Sequence, residues 1–206
     1  MRTLKKIRDV IKSIPNNYYF RKEDIIFTHL TKEEKRLLFS IAKKLDDKCV
    51  VVEIGSYLGA STNFIAKGLK KNGKIYCVDT WGNHAMDYDA SDTDKDERDT
   101  HAEFILNTKK YEEKIVMVRG WSHHVITTLE NIIGKVDFLF IDGDHNYEGV
   151  KKDWLLYSKL LTKNGIVAFH DTGWAEGVIQ VINEDVKQRS ELLHDLPNMQ
   201  VYIVTK

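Results

Sequence analysis

Two short stretches of this chain place several ionisable side chains just after apolar runs. Val136 to Ile141 reads as a strand, and Asp142, Asp144 and His145 follow it onto a loop. Gly165 to Phe169 reads as the next strand, and it delivers His170 and Asp171. If the two runs are parallel neighbours, their tips lie about 4.8 Å apart. Asp142 and Asp171 then face each other. Two carboxylates at that range repel unless a proton or a cation lies between them. A hard divalent ion meets that need. His145 stands three residues after Asp142, and an ordinary imidazole with a pKa of about 6.5 can accept a proton at neutral pH. The bland alternative is that these acids only solvate the loops at two strand ends.

A second constellation lies earlier. The run Val51-Val52-Glu53-Ile54 ends in Gly55-Ser56-Tyr57-Leu58-Gly59. Gly55 and Gly59 bracket a strand-to-helix turn, where glycine allows positive φ and close approach of a ligand. The spacing is GxxxG, without the middle glycine that a pyrophosphate requires, so a dinucleotide fits it poorly. Glu53 adds negative charge, which suits a cationic ligand better than a diphosphate. The next run, Tyr76-Cys77-Val78, ends in Asp79. An acid at that place can accept hydrogen bonds from two ribose hydroxyls.

The elements that must hold these residues alternate along the chain. Leu4, Ile7, Ile11 and Ile14 predict an N-terminal helix that Pro15 and two asparagines end. Thr31 opens a second helix, with Glu34 completing a capping box and Leu37, Leu38, Ile41 and Leu45 as its apolar stripe. Strands are expected at 49–54, 74–78, 115–118, 136–141 and 165–169. Helices are expected at 59–71, 98–111, 122–132, 147–161 and 176–189. Leu192-Leu193 and 200–204 flank Pro197 too closely for a helical crossover, so they predict an antiparallel hairpin. The expected fold is α/β: a Rossmann-like, doubly wound, mostly parallel seven-stranded sheet with that hairpin at its C-terminal end. Residues 1–47 read as a helical cover and 48–206 as the main domain. Residues 81–101 interrupt it with seven acids from Asp87 to Asp99. That density predicts a solvated loop above the cleft, or a lid with Trp81, His84, Met86 and Tyr88 shaping the pocket.

Composition sets outer limits. The 206 residues are 42% hydrophobic, with 31 basic and 31 acidic side chains. A net charge of zero gives no reason to expect nucleic acid as a partner. No apolar run approaches the roughly 20 residues needed to span a bilayer. The first eight residues lack the apolar core of a signal peptide, so a cytoplasmic location is the default expectation. Cys49 and Cys77 sit in strand-like runs and read as small buried residues.

The Glu-x-Gly-x-x-x-Gly loop with Asp79 resembles class I S-adenosylmethionine-dependent methyltransferases. The resemblance implies that Gly55, Ser56 and Gly59 lie along the methionine part, that Glu53 supports this loop or binds the amino end, and that Asp79 holds the ribose. It also assigns Asp142 to the cofactor's surroundings. Arg119-Gly120-Trp121-Ser122 resembles the segment that meets the adenine, with Ser122 as the contact; Trp121 can equally be packing. His123 and His124 read as exposed residues at a helix start. Ile-Asp-Gly-Asp-His-x-Tyr-Glu with the later Phe-His-Asp is similar to one subfamily. That subfamily holds metal-dependent small-molecule and sugar O-methyltransferases of antibiotic pathways together with cephalosporin-pathway enzymes. The likeness covers roughly residues 49–172. It implies Mg2+ or Mn2+ on Asp142 and Asp171, with His170 as third ligand or as a supporting contact; catechol-type relatives carry an oxygen donor at that place. It implies His145 as the base, whereas Asp144 receives no firm role. The implied partner is a small-molecule or sugar acceptor, with homo-oligomers common among such relatives. A metal-independent methyltransferase, a non-catalytic cofactor-binding module and a nicotinamide-dependent oxidoreductase are the competing readings.

Overall fold

A computed structural model describes residues 23–82 and 98–205. The helix expected at 3–14, and His84, Met86 and Tyr88, lie outside the described residues. Seven strands form one sheet: β1 (Val50–Ile54), β2 (Lys74–Asp79), β3 (Ile115–Arg119), β4 (Val136–Ile141), β5 (Leu161–His170), β6 (Ser190–Leu196) and β7 (Met199–Val204). Their order is β3-β2-β1-β4-β5-β7-β6. All neighbours are parallel except β7, which runs antiparallel to both β5 and β6. The central strands are covered on both faces, which explains their unbroken apolar sequences.

Alternation along the strands divides the core. Val52, Leu139, Ile141, Val167 and Phe169 point to one face. There they meet α4 (Ser122–Ile133), α5 (Tyr147–Tyr157) and α6 (Glu176–Val181). Val51, Phe138, Phe140, Ile166 and Ala168 point to the other. There they meet α1 (Lys32–Lys44) and α2 (Ala60–Gly68), with Phe104 from α3 (Thr100–Thr108). The apolar stripe of α1 is thus part of the main core. Its start is the expected capping box, in which Glu34 Oε2 accepts from Thr31 N at 2.7 Å and Glu34 N donates to Thr31 Oγ1 at 3.3 Å.

Several boundaries differ from the sequence reading; the helix expected at 176–189, for one, is α6 followed by a separate wider turn at 182–186. Helix α5 ends at Tyr157, and after one tight turn β5 begins at Leu161 rather than Gly165. Its first residues pair irregularly with β4, and Asn164 carries a φ of 64°, so the patterning there hides the strand start. The helix expected at 98–111 is α3 followed by a separate 3-10 stretch at 109–114. The hairpin strands are longer than their apolar cores suggested.

The sheet order reverses between β1 and β4, and ligands of open α/β sheets bind at such a point. Ile54 pairs with Val78 and with Ile141, and Ile141 pairs with Phe169. The tips after Ile54, Val78, Ile141 and Phe169 therefore share one edge.

A short turn, Glu23–Ile25, anchors the chain entering α1. Glu23 is buried, and its carboxylate accepts from Tyr111 Oη at 2.6 Å, Lys110 Nζ at 3.0 Å and Lys67 Nζ at 3.2 Å. Burial alone raises its pKa, but these bonds prevail and hold it at about 2, against 4.5 ordinarily. The stabilisation is therefore complete above the ordinary value and fades as pH falls toward the lowered one. Glu23→Gln is expected to cost about 1–2 kcal/mol at neutral pH, because both lysines are partly in water. Urea unfolding should show this deficit falling by more than half by about pH 3. A deficit independent of pH would contradict the charge assignment.

Candidate active site

The glycine loop is built against β4. Gly55 has φ 84°, and a Cβ there would lie 2.0 Å from the carbonyl oxygen of Asp142. Gly55 N donates to Val78 O, and Asp142 N donates to Ile54 O, both at 2.9 Å. The loop thus locks the tips of β1, β2 and β4 together. Gly59 starts α2 with φ 83°, where a Cβ would strike Thr108.

Glu53 departs from one expectation. It is completely buried beneath the loop and does not line the cavity above, so it supports the loop and is not placed to touch a cofactor. Ser56 Oγ and Thr62 Oγ1 donate to its carboxylate, and burial raises its pKa. Asp79 is held by backbone: Tyr57 N donates to Oδ2 at 2.8 Å and Trp81 N to Oδ1 at 2.6 Å. It still borders the cavity. Trp81 does not shape the pocket. It is buried between His101 and Phe104, with its indole N–H donating to Tyr57 O.

Asp142, His170 and Asp171 come together as the two strand tips required. One ligand atom from each lies within 4.8 Å of the others. His170 Nδ1 is 3.0 Å from Asp142 Oδ1 and 3.2 Å from Asp171 Oδ2, and His145 Nε2 is 2.8 Å from the same Asp171 oxygen. Alternation explains the imidazole's position: His170 follows Ile166 and Ala168 on the α1 face, and Asp171 then turns with φ 59°. Burial opposes charge on His170, but the carboxylates of Asp142, Asp171 and Glu34 together outweigh it and raise the pKa. Asp171 is likewise held well below the carboxylate range despite its burial, by bonds from His145 and His170. His145 is raised by its bond to Asp171, against the effect of burial. Burial raises Asp142, and the His170 charge opposes that.

Four contacts escaped sequence reasoning. Asn198 Nδ2 donates to Asp171 Oδ1 at 3.0 Å, and Trp174 Nε1 donates to the same atom at 2.8 Å. Glu34 Oε2 lies 3.6 Å from His170 Nε2, an ion-pair distance too long for a hydrogen bond. Asp153 accepts from Ser122 Oγ. Asn198 had a signal: a hairpin pairing beside β5 must bring its turn to the β5 tip, and His170 indeed pairs with Met199. Glu34 had none beyond its capping role.

A cavity of about 1300 Å3 joins these parts. It is bordered by Phe27, His29 and Trp174, by the Gly55 loop and the acidic cluster, and by Gly120, Ser122 and Asp153. His145 borders it too, with its ring against the edge of Trp174. Asp144 accepts from Asn146 N at 2.8 Å and shapes the loop. His123 and His124 meet edge to face at the start of α4.

Comparison with known proteins gives this geometry a context. An uncharacterised protein of Acanthamoeba polyphaga mimivirus is 29% identical over 89 residues, which are 42% of this chain and 37% of that protein. The chain thus spans little more than a third of that relative. The O-methyltransferase from Bacillus cereus, solved with S-adenosylhomocysteine, is similar with a TM-score of 0.66 at 14% identity, over 100% of this chain and 91% of that one. TomG from Streptomyces achromogenes, an O-methyltransferase involved in tomaymycin synthesis and solved with S-adenosylmethionine, gives 0.64 at 14% identity over the same shares. At such identities the likeness is one of fold. The family model for a methyltransferase domain matches residues 52–172, more than half of the sequence, and those bounds take in the glycine loop, Asp79 and the whole acidic cluster. The chain belongs to the methyltransferase-domain family.

Proposed function

We propose that this protein transfers the methyl group of S-adenosylmethionine to a hydroxyl oxygen of a small molecule or sugar, with a divalent ion on Asp142, His170 and Asp171. The observation that carries this is the convergence of these three residues beside the Gly55 loop, in one cavity. The donor set fits the ion: two carboxylate oxygens and an imidazole nitrogen suit Mn2+ or Mg2+, the nitrogen favouring Mn2+. Bound together, the sulfonium nucleoside would supply an electrophilic methyl and the ion would lower the pKa of an acceptor hydroxyl.

The protein's own residues do the rest. The Gly55 loop lets the backbone approach the cofactor, and Asp79 borders the cavity where a ribose diol would lie. Asp171 accepts from His145 Nε2–H, which leaves Nδ1 as the basic atom for the acceptor's proton. The same carboxylate then stabilises the imidazolium. Asn198 and Trp174 fix Asp171 from behind. Phe27 and Trp174 offer partly exposed aromatic surface for the acceptor. Most of the acceleration is assigned to positioning and charge compensation.

One observation favours a second reading. His170 Nδ1 already stands between Asp142 and Asp171, so a proton on that ring could answer their repulsion without any metal. EDTA separates the two. Under the first reading it abolishes transfer and Mg2+ or Mn2+ restores it; under the second, transfer is unaffected.

Three outcomes are expected. Calorimetry should show S-adenosylhomocysteine binding and no NAD binding, and Gly55→Ala should weaken the former at least about tenfold because its Cβ collides with β4. Asp142→Ala should lower kcat/KM at least about 100-fold in excess metal, and undiminished transfer would rule out the metal role. With His145 as the base, the rate profile has an acid limb, along which activity is lost as pH falls and the imidazole takes a proton. His145→Gln should lower kcat by about 100-fold or more and flatten that limb. An unchanged limb would assign the proton to another group.

A further inference from the structure

Ser122 is held from two sides by α5. Tyr157 Oη donates to its carbonyl oxygen at 2.9 Å, and its own hydroxyl donates to Asp153 Oδ1. Asp153 and Tyr157 are four residues apart and so share one helix face. Asp153 is only 4% exposed, and no ion pair to it is found among the described residues. A buried carboxylate without a partner cation is costly. Burial pushes its pKa up to about 7, against the Ser122 bond; nearby Asp144 adds to the rise and Lys152 eases it. The amino terminus of α4 repays part of the cost, because Ser122 is its first residue and no side chain caps it.

The arrangement has a polarity. A serine hydroxyl carries one proton and two lone pairs. With the proton committed to Asp153, Ser122 Oγ shows the cavity lone pairs alone. Whatever meets it there must donate. On the cofactor reading above, the ribose lies at Asp79 and the sulfonium lies by Asp142. Gly120 N donates to Asp79 O at 2.8 Å, so the wall of Gly120, Ser122 and Asp153 adjoins the ribose position, and the base takes that part of the cavity.

We infer that Asp153 fixes Ser122 as a pure hydrogen-bond acceptor and thereby selects a nucleoside whose base carries an exocyclic amine over one that carries a carbonyl at the same place. This assignment rests on the cofactor reading. Adenosine satisfies it. Inosine would set its carbonyl oxygen against the oxygen of Ser122, leaving two acceptors facing each other without a proton.

The test compares S-adenosylhomocysteine with its deaminated counterpart, S-inosylhomocysteine, by calorimetry at pH 8 on the full chain. The wild type should prefer the adenosyl ligand by about tenfold or more. In Asp153→Ala the hydroxyl is free to turn either way, and the ratio should fall to within about threefold. Ser122→Ala, which removes the oxygen, should narrow the ratio similarly. Asp153→Val replaces Asp153→Ala if the latter does not fold. A folded Asp153 variant that weakens both ligands by the same factor would show a structural role only and overturn the inference. Absence of any S-adenosylhomocysteine binding to the wild type would instead overturn the cofactor reading beneath it.

Discussion

Two carboxylates and one imidazole share a few ångströms at the tips of β4 and β5, and their electrostatic balance is the constraint on which the site depends. Asp142 and Asp171 are brought there by sheet register, which side chains near the tips cannot alter. The register also fixes what lies between them. Alternation along β5 turns His170 toward α1, so its ring enters the gap that the carboxylates leave. A cation is required at that place, whether a protonated ring or a divalent ion. The two are in competition, because His170 must give up a proton to lend its nitrogen to a metal. The chemistry proposed for the cavity follows from which of them prevails when cofactor and acceptor are present.

Around that centre, distant parts of the chain converge for stated reasons. The antiparallel hairpin ends in a turn at the β5 tip, which brings Asn198 onto Asp171. The capping box of α1 orients Glu34 inward, so a residue that starts a helix also adds a buried negative charge beside His170. The loop after β1 pins β1, β2 and β4 through two backbone bonds and one glycine with no room for a side chain. The glycine loop and the acidic cluster are thus mechanically one unit. A change in Gly55 is felt at the Asp142 carbonyl directly.

Much of this was legible in the sequence. Continuous apolar runs ending in Gly55, Asp79, Asp142 and His170 gave the strands and the shared edge, because parallel strands buried on both faces leave little else to encode. The capping box gave the start of α1 to the residue. Other features had no local signal. The beginning of β5 is masked by a polar, irregular stretch at Thr162, Lys163 and Asn164. The burial of Glu53 could not be read, because an acid at a strand tip looks the same whether it faces a ligand or the underside of its own loop. Trp81 looked like a pocket residue by its place after β2, yet packing against Phe104 claimed it. Glu34 and Asp153 join the site only through tertiary contacts with residues 136 and 31 positions away.

The reactivity of this site depends on where its charges are balanced once its ligands are present. A crystal of the protein grown with S-adenosylhomocysteine and Mn2+, with data collected at the manganese edge, answers that directly. An anomalous peak is expected at about 2.0–2.4 Å from oxygens of both Asp142 and Asp171, with the nucleoside lying along the Gly55 loop. A nucleoside bound in that place with no peak, and His170 Nδ1 still bridging the two carboxylates, would contradict the metal centre proposed here.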